Sequence, residues 1–159
     1  MRAFLPVLLA LIFVPALASP VFAQVSVAEI RAQIFLERSG KLSDNLIGAN
    51  KALHNTVIGE GDAGEPADAV LVTLVFTGAK NTKSSDKIAR DLASITVKQR
   101  AKTGEKTLLR RVYGGFLFGE SGRIHKAFLL DNATCAPLDI EVKIGRSAKS
   151  AKLDFTCGE

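Results

Sequence analysis

The amino-acid sequence predicts an all-β protein. The expected fold is a single-domain β-sandwich of about seven strands with Greek-key, Ig-like or C2-like topology, and a β-barrel is the alternative way to close the same strands. Three observations predict it. Apolar residues recur with period two through most of the chain beyond residue 24. Glycine, proline, asparagine and aspartate interrupt them at short intervals. Few stretches hold a helical period.

The elements follow in order. Residues 28–38 (AEIRAQIFLER) place Ile30, Ala32, Ile34 and Leu36 on one face, which is a strand pattern. Ser26-x-x-Glu29 also fits a helix capping box, the competing local signal. Residues 44–54 read as a short helix or an ordered loop, and residues 55–68 as a long Gly- and acid-rich loop. Residues 69–77 (AVLVTLVFT) are β-branched and apolar on both faces, as in a central strand. Residues 86–92 allow one or two helical turns. Residues 93–100 (ASITVKQR) alternate, with Ala93, Ile95 and Val97 inward. Residues 106–118 (KTLLRRVYGGFLF) read as one long strand bulged at Gly114-Gly115, and residues 119–122 turn it into a strand over 123–130. The last pair spans 138–144 and 151–155, with 145–150 as the turn. In that register Leu138 opposes Phe155, Ile140 opposes Leu153 and Val142 opposes Ala151.

Residues 1–23 read as a secretory signal peptide. Arg2 is the only charge in the first 28 residues, an apolar run covers 3–17, and Val21-Phe22-Ala23 offers small residues for cleavage after Ala23. Residues 24–159 then form the single β-sandwich domain, in the periplasm or outside the cell, with no transmembrane segment in the mature chain. Its net charge is +4, from 20 basic and 16 acidic residues.

Cys135 and Cys157 are the only cysteines, so export implies a disulfide between them. The paired ends of the last hairpin bring them close. A crosslink closing a loop of this length contributes about 3 kcal/mol in the chain-entropy model.

Residues 59–64 read GEGDAG, the spacing of a dinucleotide-binding loop. That motif needs a strand before it and a helix N-terminus after it. Here Glu60 and Asp62 would repel phosphate, and Glu65-Pro66 leads into a strand. No nucleotide is expected, and no cofactor. The loop's carboxylates, Glu60, Asp62, Glu65 and Asp68, are weak candidate metal ligands: calcium takes several oxygens from flexible acidic loops, but the spacing is not that of an EF-hand.

The opposite charge gathers downstream. Residues 80–126 hold 12 Lys or Arg against Asp86, Asp91, Glu105 and Glu120. Lys98, Arg100, Lys106, Arg110, Arg111, Arg123 and Lys126 are the candidate basic surface. One tyrosine, no tryptophan and no recognisable motif argue against nucleic acid. His54 and His125 lie near no nucleophile motif, so no catalytic residue is assigned. The expected function is therefore an exported, disulfide-stapled, non-catalytic binding or structural module of the cell envelope, with an unknown protein or anionic envelope component as partner. The alternatives are a calcium-binding or hydrolytic domain using the 60–68 loop, and an electrostatic binder of anionic envelope surfaces.

Overall fold

The computed structural model describes residues 24–49, 53–54 and 61–156. Ten strands follow one another among them: β1 (Ser26–Leu36), β2 (Lys41–Leu42), β3 (Leu53–His54), β4 (Ala67–Thr77), β5 (Ala93–Ala101), β6 (Gly104–Tyr113), β7 (Arg123–Leu130), β8 (Leu138–Ile144), β9 (Ser147–Leu153) and β10 (Phe155–Thr156). Seven are long, and β2, β3 and β10 have two residues each. The 86–92 segment contributes a single 3-10 turn at Ala89–Asp91, and a second lies at Gly61–Ala63. The signal-peptide reading, Glu60 and Cys157 lie outside the described residues.

The seven long strands and β2 form two four-stranded antiparallel sheets, ordered β2-β1-β4-β7 and β6-β5-β8-β9, and β3 pairs in parallel with β10. The sheets pack inner face to inner face. Ile30, Ala32 and Ile34 of β1 and Val70, Val72, Leu74 and Phe76 of β4 meet Ile95 and Val97 of β5 and Leu138, Ile140 and Val142 of β8 in one buried cluster. Each such fully buried aliphatic or aromatic side chain contributes about 1.5–3 kcal/mol. β4 is central and buried on both faces, which its unbroken apolar run requires: Val75 on its outer face is as buried as Leu74 on its inner one. The chain crosses between sheets after β4, β6 and β7, and β8 settles beside β5 instead of β7, a Greek-key return.

Two strand expectations need correction. The stretch over 106–118 is not one strand. β6 ends at Tyr113, and the chain leaves the sheet at Gly114-Gly115, where Gly115 has φ +61°. The alternation continued in the sequence because Phe116 and Phe118 are buried from a loop. Phe116 packs against Phe76 with the rings tilted at 45° and 4.7 Å between centroids, and Ser84 holds its backbone on both sides (Ser84 N to Phe116 O, 2.8 Å; Phe116 N to Ser84 Oγ, 3.0 Å). The bulge lies instead at Leu108, where Val97 faces Leu109 and Lys98 faces Thr107.

The last hairpin is shifted by two residues. Leu138 faces Leu153, Ile140 faces Ala151 and Ile144 faces Ser147, so the turn is only Gly145-Arg146. Gly145 has φ +53°, as the first loop position of a type II′ turn demands, and such a turn matches the strand twist where a type I or II turn would splay the strands. Strand 151–155 accordingly becomes β9, Ser147–Leu153.

One seam of the sandwich is drawn closed toward a barrel. A bulge at Ala28 in β1 interrupts the ladder with β4. The Val27 N–H there donates to Ser147 Oγ of β9 at 3.0 Å, and Lys149 Nζ of β9 donates to the Ala28 carbonyl. Further along the same edge, before it pairs with β2, Ala32 N–H donates to Asn45 Oδ1 and Ile34 N–H to Ser43 Oγ. The edge of β1 is thus capped by side chains, which removes it as a template for foreign strands.

Candidate functional site

The acidic loop comes first. Asp62 Oδ2 accepts the His54 backbone N–H at 3.1 Å, tying the loop to β3. Glu65 accepts three hydrogen bonds from the β1–β2 turn: Arg38 N–H at 3.0 Å, Ser39 N–H at 2.8 Å and Ser39 hydroxyl at 2.8 Å. The Ser39 hydroxyl first, then the backbone donors, hold the Glu65 carboxyl below its ordinary range. Both carboxylates therefore serve different neighbours within the fold. Glu60 and the side chain of Asp68 lie outside the described residues. Among the described residues no group of three or more metal-ligating side chains converges.

The basic residues divide into two sets. Lys98 Nζ lies 2.6 Å from Glu105 Oε1, and Arg100 Nε lies 2.8 Å from Asp139 Oδ2. These cations are neutralised on the outer face of the β5–β8 sheet. The Lys98 ammonium holds the Glu105 carboxyl below its ordinary range. Arg31 does the same for Glu29 through a two-pronged contact on β1.

The second set gathers where β6 and β7, the end strands of the two sheets, approach each other. Arg111 faces the buried Ile95, so it lies on the inner face of β6; Lys126 faces the buried Leu74, on the inner face of β7. Between them stands Tyr113. The Arg111 guanidinium lies 5.9 Å and the Lys126 ammonium 5.7 Å from its ring centroid, and Lys126 also lies 5.9 Å from the Phe116 ring. The Tyr113 hydroxyl accepts from Arg111 Nη1 at 3.2 Å and donates to the Ala127 carbonyl of β7 at 3.3 Å. Neither Arg111 nor Lys126 forms an ion pair among the described residues, and the same holds for Lys106 and Arg110, while Arg123 lies near enough to Glu29 to help lower its carboxyl. Tyr113 is the residue that sequence reasoning missed. Its signal was position: the only tyrosine stands two residues after Arg111.

His54 Nδ1 contacts the Thr156 hydroxyl, joining β3 to β10, and His125 stands exposed on the outer face of β7. An open groove of about 730 Å³ at one end of the sandwich is lined by Gln24, Arg90, Asp91, Lys143 and Arg146. Asp91 is held there by Ser85 N–H and Lys143 by Glu141.

The cysteine corner is built by Gln99. Its buried amide bonds Thr134 and Ala136 on either side of Cys135. Cys135 Sγ lies 4.0 Å from the carbonyl oxygen of Thr156, the residue before Cys157. No protein-family model matches the chain, and no similar curated protein is found.

Proposed function

We propose that the chain is an exported, non-catalytic binding module of the cell envelope that holds an anionic partner at the basic seam between β6 and β7. One observation carries this reading: Arg111 and Lys126, from different sheets, flank the single Tyr113 ring with no carboxylate between them. Like charges are held side by side at some cost, and an anion relieves it. The pairing of Lys98 and Arg100 with Glu105 and Asp139 concentrates the unneutralised charge at this seam. The acidic loop weighs less as a ligand site, because Asp62 and Glu65 already accept hydrogen bonds from the fold. Export and a Cys135–Cys157 staple belong to the same reading, supported by the leader sequence and by the approach of Cys135 to Thr156.

The test is retention on immobilised heparin, used as a generic polyanion, over a salt gradient. Retention should fall with salt. The pair Arg111→Gln with Lys126→Gln should elute at clearly lower salt than the pair Lys98→Gln with Lys152→Gln, which removes equal charge elsewhere. Equal elution of the two double variants would remove the seam from the proposal. A turnover abolished by His54→Ala would overturn its non-catalytic part.

A further inference from the structure

The four sheet edges are not treated alike. The outer edge of β1 pairs with β2 at Phe35 and Leu36 and is otherwise capped by Ser43, Asn45, Ser147 and Lys149. The edge of β9 lies against β1 through its own Ser147 and Lys149. The edge of β7 receives the Tyr113 hydroxyl at Ala127. β6 is different. It is 10 residues long, pairs only with β5, and its backbone makes no other hydrogen bond among the described residues. Most of its side chains are exposed, Val112 at 61%.

A long uncapped edge is a template for another strand, and natural proteins guard such edges with charge. Glu105, near the start of the strand, is paired with Lys98; every charged residue of β6 beyond it is basic: Lys106 and Arg110 beside the bulge, then Arg111 on the opposite face from Arg110. These residues discriminate between visitors. A second copy of β6 paired antiparallel about this region would set arginine against arginine, which is unfavourable across a ladder. A strand carrying carboxylates would set opposite charges against both faces and could cover Val112 with an apolar side chain.

We propose that β6 binds an extended acidic polypeptide segment by strand addition, the ladder providing backbone bonds and the arginines selecting the sequence. This rests on the anionic-partner reading of the β6–β7 seam and names the chemistry of the partner.

The test uses the full chain and a short synthetic peptide of alternating valine and glutamate. Titration by calorimetry should show binding that weakens with salt. Amide hydrogen exchange should slow in alternate residues of β6 and stay unchanged in β8. Arg110→Glu with Arg111→Glu should weaken binding roughly tenfold or more, since reversal turns each cross-strand attraction into repulsion. Peptides N-methylated at alternate amides separate ladder from charge: methylation on one edge should abolish binding, and on the other leave it nearly intact. Equal binding of both methylated peptides would overturn strand addition while leaving a charge-selective seam. No peptide binding, with heparin retention still dependent on Arg111 and Lys126, would overturn strand addition alone. A β6-dependent dimer of the free chain would overturn the choice of occupant. Loss of both peptide binding and seam-dependent heparin retention would overturn both readings together.

Discussion

Gln99 and Thr134 are bonded to each other at both ends of the glutamine amide. Oε1 of Gln99 accepts the Thr134 N–H at 3.3 Å and its hydroxyl at 2.8 Å, while Nε2 donates to the Thr134 carbonyl at 2.7 Å and to that of Ala136 at 2.9 Å. A buried amide thus stands in for the strand that the 131–137 loop lacks. Every donor and acceptor of the side chain is used, the condition under which a buried polar group stabilises a fold.

Gln99→Leu should therefore be costly although leucine is apolar and of similar size. It leaves the Thr134 N–H and the Ala136 carbonyl without their partner, while the Thr134 carbonyl keeps the Ala136 N–H, and unpaired groups cost about 1–3 kcal/mol each when they stay dry. Partial access of water at Thr134 lowers the sum. The expected loss is roughly 2–4 kcal/mol in urea unfolding. A loss below about 0.5 kcal/mol, the range of neutral surface changes, would show that the loop holds itself.

The same corner bears on the cysteines. If Cys135 and Cys157 are joined, the intact chain should weigh two hydrogens less than its reduced form, as mass spectrometry reads directly. Reduction, or Cys135→Ser, should then lower stability by about 3 kcal/mol in the chain-entropy model. Free thiols in protein purified from an oxidising compartment would refute the staple.

Gly78 is required by packing, not by its backbone angle. A Cβ there would lie 2.5 Å from the Phe118 ring, which is 1% exposed and stacks with Phe116. The ring has nowhere to retreat. Gly78→Ala should destabilise by about 1–3 kcal/mol, as overpacking does. Pairing it with Phe118→Leu should recover part of that loss in a double-mutant cycle. Strict additivity would mean the clash is absorbed elsewhere.

Glu65 sets a pH dependence. Its folded pKa is lowered, chiefly by the Ser39 hydroxyl and then by backbone N–H groups. The sign follows: a depressed carboxyl adds stability that is present above its unfolded pKa, about 4.3, and is lost as pH falls through the lower folded value. Unfolding midpoints measured from pH 7 down to pH 3 should drop less steeply for Glu65→Gln than for the wild type, and the two slopes should be parallel above about pH 6. Curves parallel throughout the acid range would show that Glu65 contributes nothing there.

Much of this architecture was legible in the sequence because its determinants are local. Alternation over 93–100 and 138–144 specifies which residues face the core, whatever the strand pairs with. The doubly apolar run at 69–77 specifies a central strand. Residues 123–130 gave their own boundaries through the glycine turn before them. The candidate basic residues were legible as a count, since charge is written in composition. Their division into neutralised and unneutralised sets was not, because Lys98 meets Glu105, and Arg100 meets Asp139, only once β6 and β8 flank β5.

The sequence by itself determined an all-β chain of seven long strands and, where apolar residues alternate as in 28–38, 93–100 and 138–144, the face turned inward, because a period of two is a property of consecutive residues. Tertiary structure decided the rest. It placed Phe116 and Phe118 in the core from a loop, where alternation alone had read a strand. It set the register that pairs Ile144 with Ser147 and so leaves only Gly145-Arg146 as the turn. It brought Arg111, Tyr113 and Lys126 together across two sheets and left β6 as the edge that no side chain caps. Those relationships join residues distant along the chain, and only the packing of one sheet on the other gives them a distance.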